Sequence, residues 1–197
     1  MMPQMLENRL YEDPWPEGDY RFFQLAWVVD DLYAAAQRWV DVHGVGPFHV
    51  IRPRPRTYEY RSRSATIHMQ YAVAQAGPIQ IELIQQLCDS PSVYRDLFPR
   101  GGAGVHHICT VTRRYDARLR HYTQLGYVVA AESQNAGRRV AYIDTSADFG
   151  LMTELVEASA EFTSLLAAIS AAGQSWTGED PIRILTRDGY RTPVLSG

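Results

Sequence analysis

The stretch "GGAGVHHICTV", residues 101–111, sets two histidines side by side at the start of an apolar, strand-like run. Neighbouring residues on a strand point to opposite faces, so at most one of His106 and His107 looks into a given pocket. Onward from this strand, "YDARLRHYTQLG" (115–126) has a helical pattern that stops at Gly126. Three more strand patterns follow: "YVVAAES" (127–133), "RRVAYIDT" (138–145) and "GLMTELVEA" (150–158). Turns rich in Gly and Asp separate them. The unit is one strand, one helix and three strands.

The same order stands upstream. "RFFQLAWVVDDL" (21–32) reads as a buried strand closed by Asp30 and Asp31. Asp31 is the N-cap of a helix over 32–43, with an apolar stripe of Leu32, Ala35, Ala36, Trp39 and Val40. Gly44, Gly46 and Pro47 end it. "FHVIRPRPRTYEYRSRS" (48–64) carries five arginines: Arg52, Arg54, Arg56, Arg61 and Arg63. Its two prolines predict a loop or an edge strand. "ATIHMQYAVAQ" (65–75) and "PIQIELIQQ" (78–86) are strands on either side of a turn at Gly77 and Pro78. The spacing predicts an arm over 1–20, a first module over 21–88 and a linker with a short helix over 89–103. A second module covers 104–158, and a helix and tail cover 159–197. That last helix puts Phe162, Leu165, Leu166 and Ile169 on one side, and the tail beyond it reads as irregular. A strand-helix-three-strand unit used twice makes an α+β protein of two βαβββ modules forming a curved mixed sheet around a cleft.

The chain has 197 residues, 46% of them hydrophobic, which is enough for a sizeable core without staples. A net charge of −3 gives no support for nucleic-acid or polybasic membrane contact. Cys88 and Cys109 read as reduced thiols, the second buried and inert. No apolar run is long enough to span a bilayer, and the N-terminal residues lack the pattern of a signal peptide. A soluble cytoplasmic protein is the expectation.

Superposing the repeats brings out four residues. "IQIELIQQ" and "LMTELVEA" each hold an acid amid apolar neighbours, Glu82 and Glu154. An ionised carboxylate buried there costs several kcal/mol unless it is paired or binds a metal. Two at matching places ask for a shared explanation. Aligning "FQLAWVV" with "HHICTVT" sets Gln24 against His107, so His107 points inward and His106 outward or into the packing between strands. Gln24, Glu82, His107 and Glu154 form a donor set suited to one divalent ion, Zn, Ni, Co, Mn or Fe. For each, the competing reading is a satisfied core polar group, with an arginine partner for the acids. Arg52, Arg54, Arg56 and His68 are candidate substrate contacts, the alternatives being a solvated loop and a structural histidine.

These motifs in this order resemble the glyoxalase/bleomycin-resistance/extradiol-dioxygenase proteins, the vicinal oxygen chelate superfamily, over residues 21–158. The Gln/Glu/His/Glu set is similar to that of zinc glyoxalase I enzymes, and "GGAGVHHIC" is similar to methylmalonyl-CoA epimerases. The resemblance implies a metal-dependent lyase or isomerase that moves a proton through a metal-stabilised enediolate or enolate. Glu154 would be the catalytic base and Glu82 its partner. The implied substrate is a small molecule, such as a thioester or a glutathione adduct, and the implied assembly is a homodimer. An extradiol-type dioxygenase and a non-catalytic small-molecule binding protein are the alternatives. Gln24, standing where the dioxygenases have a histidine, speaks against the first, and the full donor set speaks against the second.

Overall fold

A computed structural model describes residues 21–135, 138–186 and 189–191. The arm read over 1–20 lies outside the described residues. The first module is β1 (Arg21–Val28), α1 (Leu32–His43), β2 (Phe48–Tyr60), β3 (Arg63–Ala76) and β4 (Ile79–Gln86). A short α2 (Val93–Leu97) links it to β5 (Gly104–Thr112), α3 (Tyr115–Gln124), β6 (Val128–Asn135), β7 (Arg138–Asp144), α4 (Ser146–Phe149) and β8 (Met152–Glu157). After these come α5 (Ala160–Gln174), β9 (Ile182–Thr186) and β10 (Gly189–Arg191).

Local chemistry sets the helix ends. The Asp31 carboxylate accepts from the Ala34 N–H at 3.0 Å and starts α1. Gly44 closes it at φ 63°, a left-handed conformation that suits glycine. Leu32 and Ala36 are fully buried against Phe48, Ile81 and Leu83, so α1 covers the outside of the first half-sheet. Tyr115 does the same for α3 against Ala141, Ile143 and Leu155. At one end Phe162 of α5 meets Phe23 edge-on at 5.8 Å.

All ten strands form one sheet in the order β10-β9-β2-β3-β4-β1-β5-β8-β7-β6. A further pairing of β2 with β6, Glu59 opposite Glu132 and Tyr60 opposite Ala131, closes eight of them into a barrel. β1 and β5 meet antiparallel at the seam between modules. β1 runs parallel to β4 with Gln24 opposite Gln80 and Ala26 opposite Glu82. β5 runs parallel to β8 with His107 opposite Met152 and Cys109 opposite Glu154. The two registers correspond residue for residue, as the sequence superposition required.

Local details refine the sequence reading. Of the two readings of the arginine-rich stretch, loop or edge strand, the structure takes the strand, 13 residues long. It pairs with β3 along its length, but on its other side only at Phe48–Val50 (with β9) and Glu59–Tyr60 (with β6). Pro53 and Pro55 fall between these two pairings, where a missing N–H leaves no ladder bond unmade. The tail is irregular only up to Pro181, because Ile182 is buried and β9 joins the sheet beside β2. The turn after β7 holds the short α4, which no sequence signal announced. Among the described residues no helix is long and apolar enough to cross a membrane.

Gly104 opens β5 beneath Phe98, and a Cβ there would lie 2.6 Å from the Phe98 ring. Phe98 in turn packs on His106, with ring centroids 6.5 Å apart. Gly104→Ala is expected to cost about 1–3 kcal/mol through overpacking. Equilibrium denaturation measures it, and pairing the change with Phe98→Leu should recover part of the loss.

Candidate metal centre

Strand register gathers the acids and one histidine. Ala26 stands opposite Glu82 on one side and His107 on the other, while Glu154 stands opposite Cys109, two residues along β5. All five positions share one face of the sheet. Ligating atoms of Glu82, His107 and Glu154 lie within 4.8 Å of one another. His107 Nε2 is 3.5 Å from a Glu82 oxygen and 3.4 Å from a Glu154 oxygen. Those separations are long for charge-assisted hydrogen bonds, which run about 2.7–2.9 Å.

The two histidines converge rather than diverge. Ala26 pairs with His107 but Trp27 with Val105, so the register slips and His106 is an extra residue in β5. Both rings are fully buried, and their Nδ1 atoms are 2.9 Å apart. His106 Nε2 lies 2.9 Å from the Val93 carbonyl oxygen, which can only accept. The proton is therefore assigned to His106 Nε2. Burial, helped by the neighbouring His107, pushes His106 down to about 3, so it stays neutral. Its Nδ1 lone pair then accepts from His107 Nδ1–H. This chain fixes the His107 ring and leaves Nε2 facing the carboxylates, the arrangement that orients ligating histidines in metal sites.

Electrostatics in the cluster are strongly biased. Burial opposes a charge on His107, but the nearby carboxylates of Glu154 and Glu82 outweigh it and lift the ring to about 9. Burial raises Glu82, while His107 draws it the other way. Burial would also raise Glu154, yet His107, with Cys109 and Tyr142 hydrogen bonds, holds it down to about 2.

A cavity of about 70 Å³ adjoins this cluster. Glu154 lines it together with Arg56, Tyr58, Tyr94 and Tyr142, and Ile67 and Met69 add apolar wall. The Tyr94 and Tyr142 hydroxyls are 3.0 Å apart. None of the three tyrosines was singled out from the sequence. For Tyr142 a signal existed, since "RRVAYIDT" alternates and sets it on one face with Val140, opposite Glu154.

The remaining sequence candidates divide. Gln24 is buried and its register keeps it on the face of Ala26 and His107. Arg56 lines the cavity, Arg52 is exposed, and the Arg54 side chain lies outside the described residues. His68 is corrected: Ile67 and Met69 face the cavity, and His68 between them is exposed on the other side. Arg61 is structural. It bridges Asp96 at 2.8 Å and Asp144 at 3.1 Å, fastening the β2–β3 turn to α2 and the end of β7.

A paired βαβββ barrel with a buried histidine held between two acids defines a recognisable class of protein. The model of the Glyoxalase/Bleomycin resistance protein/Dioxygenase superfamily matches residues 23–142, and the chain belongs to that superfamily. No curated protein shows significant sequence similarity to it. Among solved structures, a Streptomyces coelicolor methylmalonyl-CoA epimerase in complex with 2-nitronate-propionyl-CoA is similar at 21% identity and a TM-score of 0.48, over 71% of this chain and 98% of that one. A Mycobacterium tuberculosis methylmalonyl-CoA epimerase gives 19% and 0.49, over 73% and 91%. A Bacillus halodurans hypothetical protein gives 17% and 0.48, over 71% and 95%.

The pH dependence of the metal-free protein follows from His107. Its folded-state value lies above the unfolded one near about 6.5. The stability it contributes is complete below about 6.5 and is lost as pH rises through about 9. Thermal melts of the chelator-treated protein should fall across that window. In His107→Gln this fall should be absent.

Proposed function

We propose that this chain is a divalent-metal-dependent enzyme of the glyoxalase and epimerase type, moving a proton next to a carbonyl. The reading is carried by one observation: donor atoms of Glu82, His107 and Glu154, drawn from both modules, converge within 4.8 Å beside a cavity. The fit to an ion can be tested on the residues themselves. His107 Nε2 is buried with no hydrogen-bond partner among the described residues. Two ligand atoms about 2.0–2.1 Å from a common ion stand about 3.4 Å apart at a tetrahedral angle. The separations of 3.4 and 3.5 Å from Nε2 to the carboxylate oxygens match that spacing. Two carboxylates and one imidazole suit zinc, nickel, cobalt, manganese or iron.

Glu82, His107 and Glu154 would hold the ion, with Gln24 as the fourth donor. The bound ion would supply Lewis acidity to an enolate or enediolate oxygen. The chain's own part is to collect, hold and return the proton. Glu154 lines the cavity and is kept ionised, so it is the base, and Glu82 is its partner on the opposite module. The tyrosine and aliphatic walls keep water from the carbanion face. The substrate is a small carbonyl compound, free or as the acyl end of a thioester or glutathione adduct.

Metal analysis of the purified protein should give one divalent ion per chain. Loaded protein should exchange deuterium from water into positions next to the carbonyl of a bound 2-oxo acid or thioester. Glu154→Gln should slow that exchange by at least about 100-fold. A protein that binds no ion defeats the reading, as does oxygen uptake with catechols in place of exchange.

A further inference from the structure

Arg56 is a half-buried guanidinium whose surroundings ask for an anion. It reaches into the cavity because Arg56 stands opposite Ile67 in the β2–β3 register, and Ile67 faces inward. Its Nη2 donates to the Tyr71 hydroxyl at 2.9 Å, and the guanidinium lies over the Tyr71 ring at 5.0 Å. These contacts lock the side chain without neutralising it. Among the described residues no carboxylate lies within ion-pair distance of it, whereas Arg61, Arg100 and Arg139 each have one. A hydroxyl occupies one nitrogen and leaves the rest of the fork available.

The charges around the cavity set the sign and size of the missing partner. With a divalent ion bound, the charges of Glu82 and Glu154 are cancelled and His107 is a neutral ligand. Tyr58, Tyr94 and Tyr142 stay neutral, since burial raises all three hydroxyls. Glu132 also borders the cavity, but it is exposed at the rim and accepts from the Tyr115 hydroxyl. Among the described side chains that line the cavity, one positive charge then remains, that of Arg56. A monoanion balances it, and a dianion such as phosphate would leave a buried negative charge unpaired. The cavity of about 70 Å³ has room for more than a single water, enough for the carboxylate and short body of a small acid.

We infer that Arg56 is the specificity residue of this site and reads the carboxylate of a compact monoanionic acid whose apolar body lies against Tyr58, Ile67 and Met69. The inference rests on the metal-enzyme reading above for its charge balance. The carboxylate sits on Arg56, so that the ion is left to the carbonyl oxygen at the other end of the ligand. Bidentate carboxylate recognition requires the planar fork, which a lysine does not reproduce.

Calorimetric titration of zinc-loaded protein with propionate and with its neutral isostere propionamide tests this. Wild type should prefer propionate by at least about tenfold. In Arg56→Gln the preference should shrink to within about twofold while the protein still binds one zinc and unfolds cooperatively, and Arg56→Lys should keep only part of it. Propionate should bind more tightly to the zinc-loaded than to the metal-free protein. If Arg56→Gln keeps the full preference, the carboxylate sits on the ion and the inference is overturned. Inorganic phosphate binding more tightly than propionate also overturns it. Zinc titration of the same preparations keeps the two readings apart. Absent zinc binding with an Arg56-dependent propionate preference defeats only the metal reading. Zinc binding with an Arg56-independent preference defeats only this inference.

Discussion

The antiparallel seam between β1 and β5 is the constraint on which the site depends. It joins two modules that would each leave one face of a four-stranded sheet uncovered. Ala26 sits at its middle, opposite Glu82 on one side and His107 on the other. A side chain larger than a methyl group there would occupy the space in which the imidazole and carboxylate meet. The fully buried small residue at position 26 and the polar cluster are therefore parts of one packing solution. Shifting the seam by one residue would turn His107 and Gln24 away from the interior.

Burial makes the cluster costly, and the same burial gives it a use. Glu82 and Glu154 sit near each other with little solvent, so they cannot both stay ionised without a positive partner. In the metal-free chain the His107 proton is that partner, which is why its ring is lifted to about 9. A divalent ion would replace the proton with a stronger charge at the same focus. His106 matters here because its Nε2–H is committed to the Val93 carbonyl. It can only accept from His107, so the His107 nitrogen facing the acids is always Nε2.

Much of this was legible in the sequence, for physical reasons that differ by residue. Glu82 and Glu154 were legible because an acid amid apolar strand neighbours demands compensation, and the duplication placed the two at matching points. Gln24 and His107 followed from the same superposition. The convergence of the histidine pair was not legible. A bulge is a slip of one strand against its partner, and the pattern of β5 alone carries no mark of it. The proline pair left two readings, loop and edge strand, and the structure takes the second. The pair marked a missing ladder partner on one side, which a strand paired only at its two ends tolerates. His68 was legible and misassigned, since Ile67 and Met69 on either side already set it on the opposite face.

The five arginines show what register adds to composition. They are chemically equivalent in the sequence, and a run of positive charge around two prolines reads as a solvated loop. Once β2 is a strand, alternation sends Arg56 inward beside Ile67, and the turn at Arg61 brings that side chain to Asp96 and Asp144. Arg61 finds acids in the protein and serves the fold. Arg56 finds a phenol at hydrogen-bond distance and, among the described residues, no carboxylate in direct contact, only the more distant field of Glu82. Half-burying a charge with no ion pair in direct contact is costly, and the Tyr71 contacts only partly offset that cost. Such a charge beside a cavity is better explained by what enters the cavity than by what surrounds it.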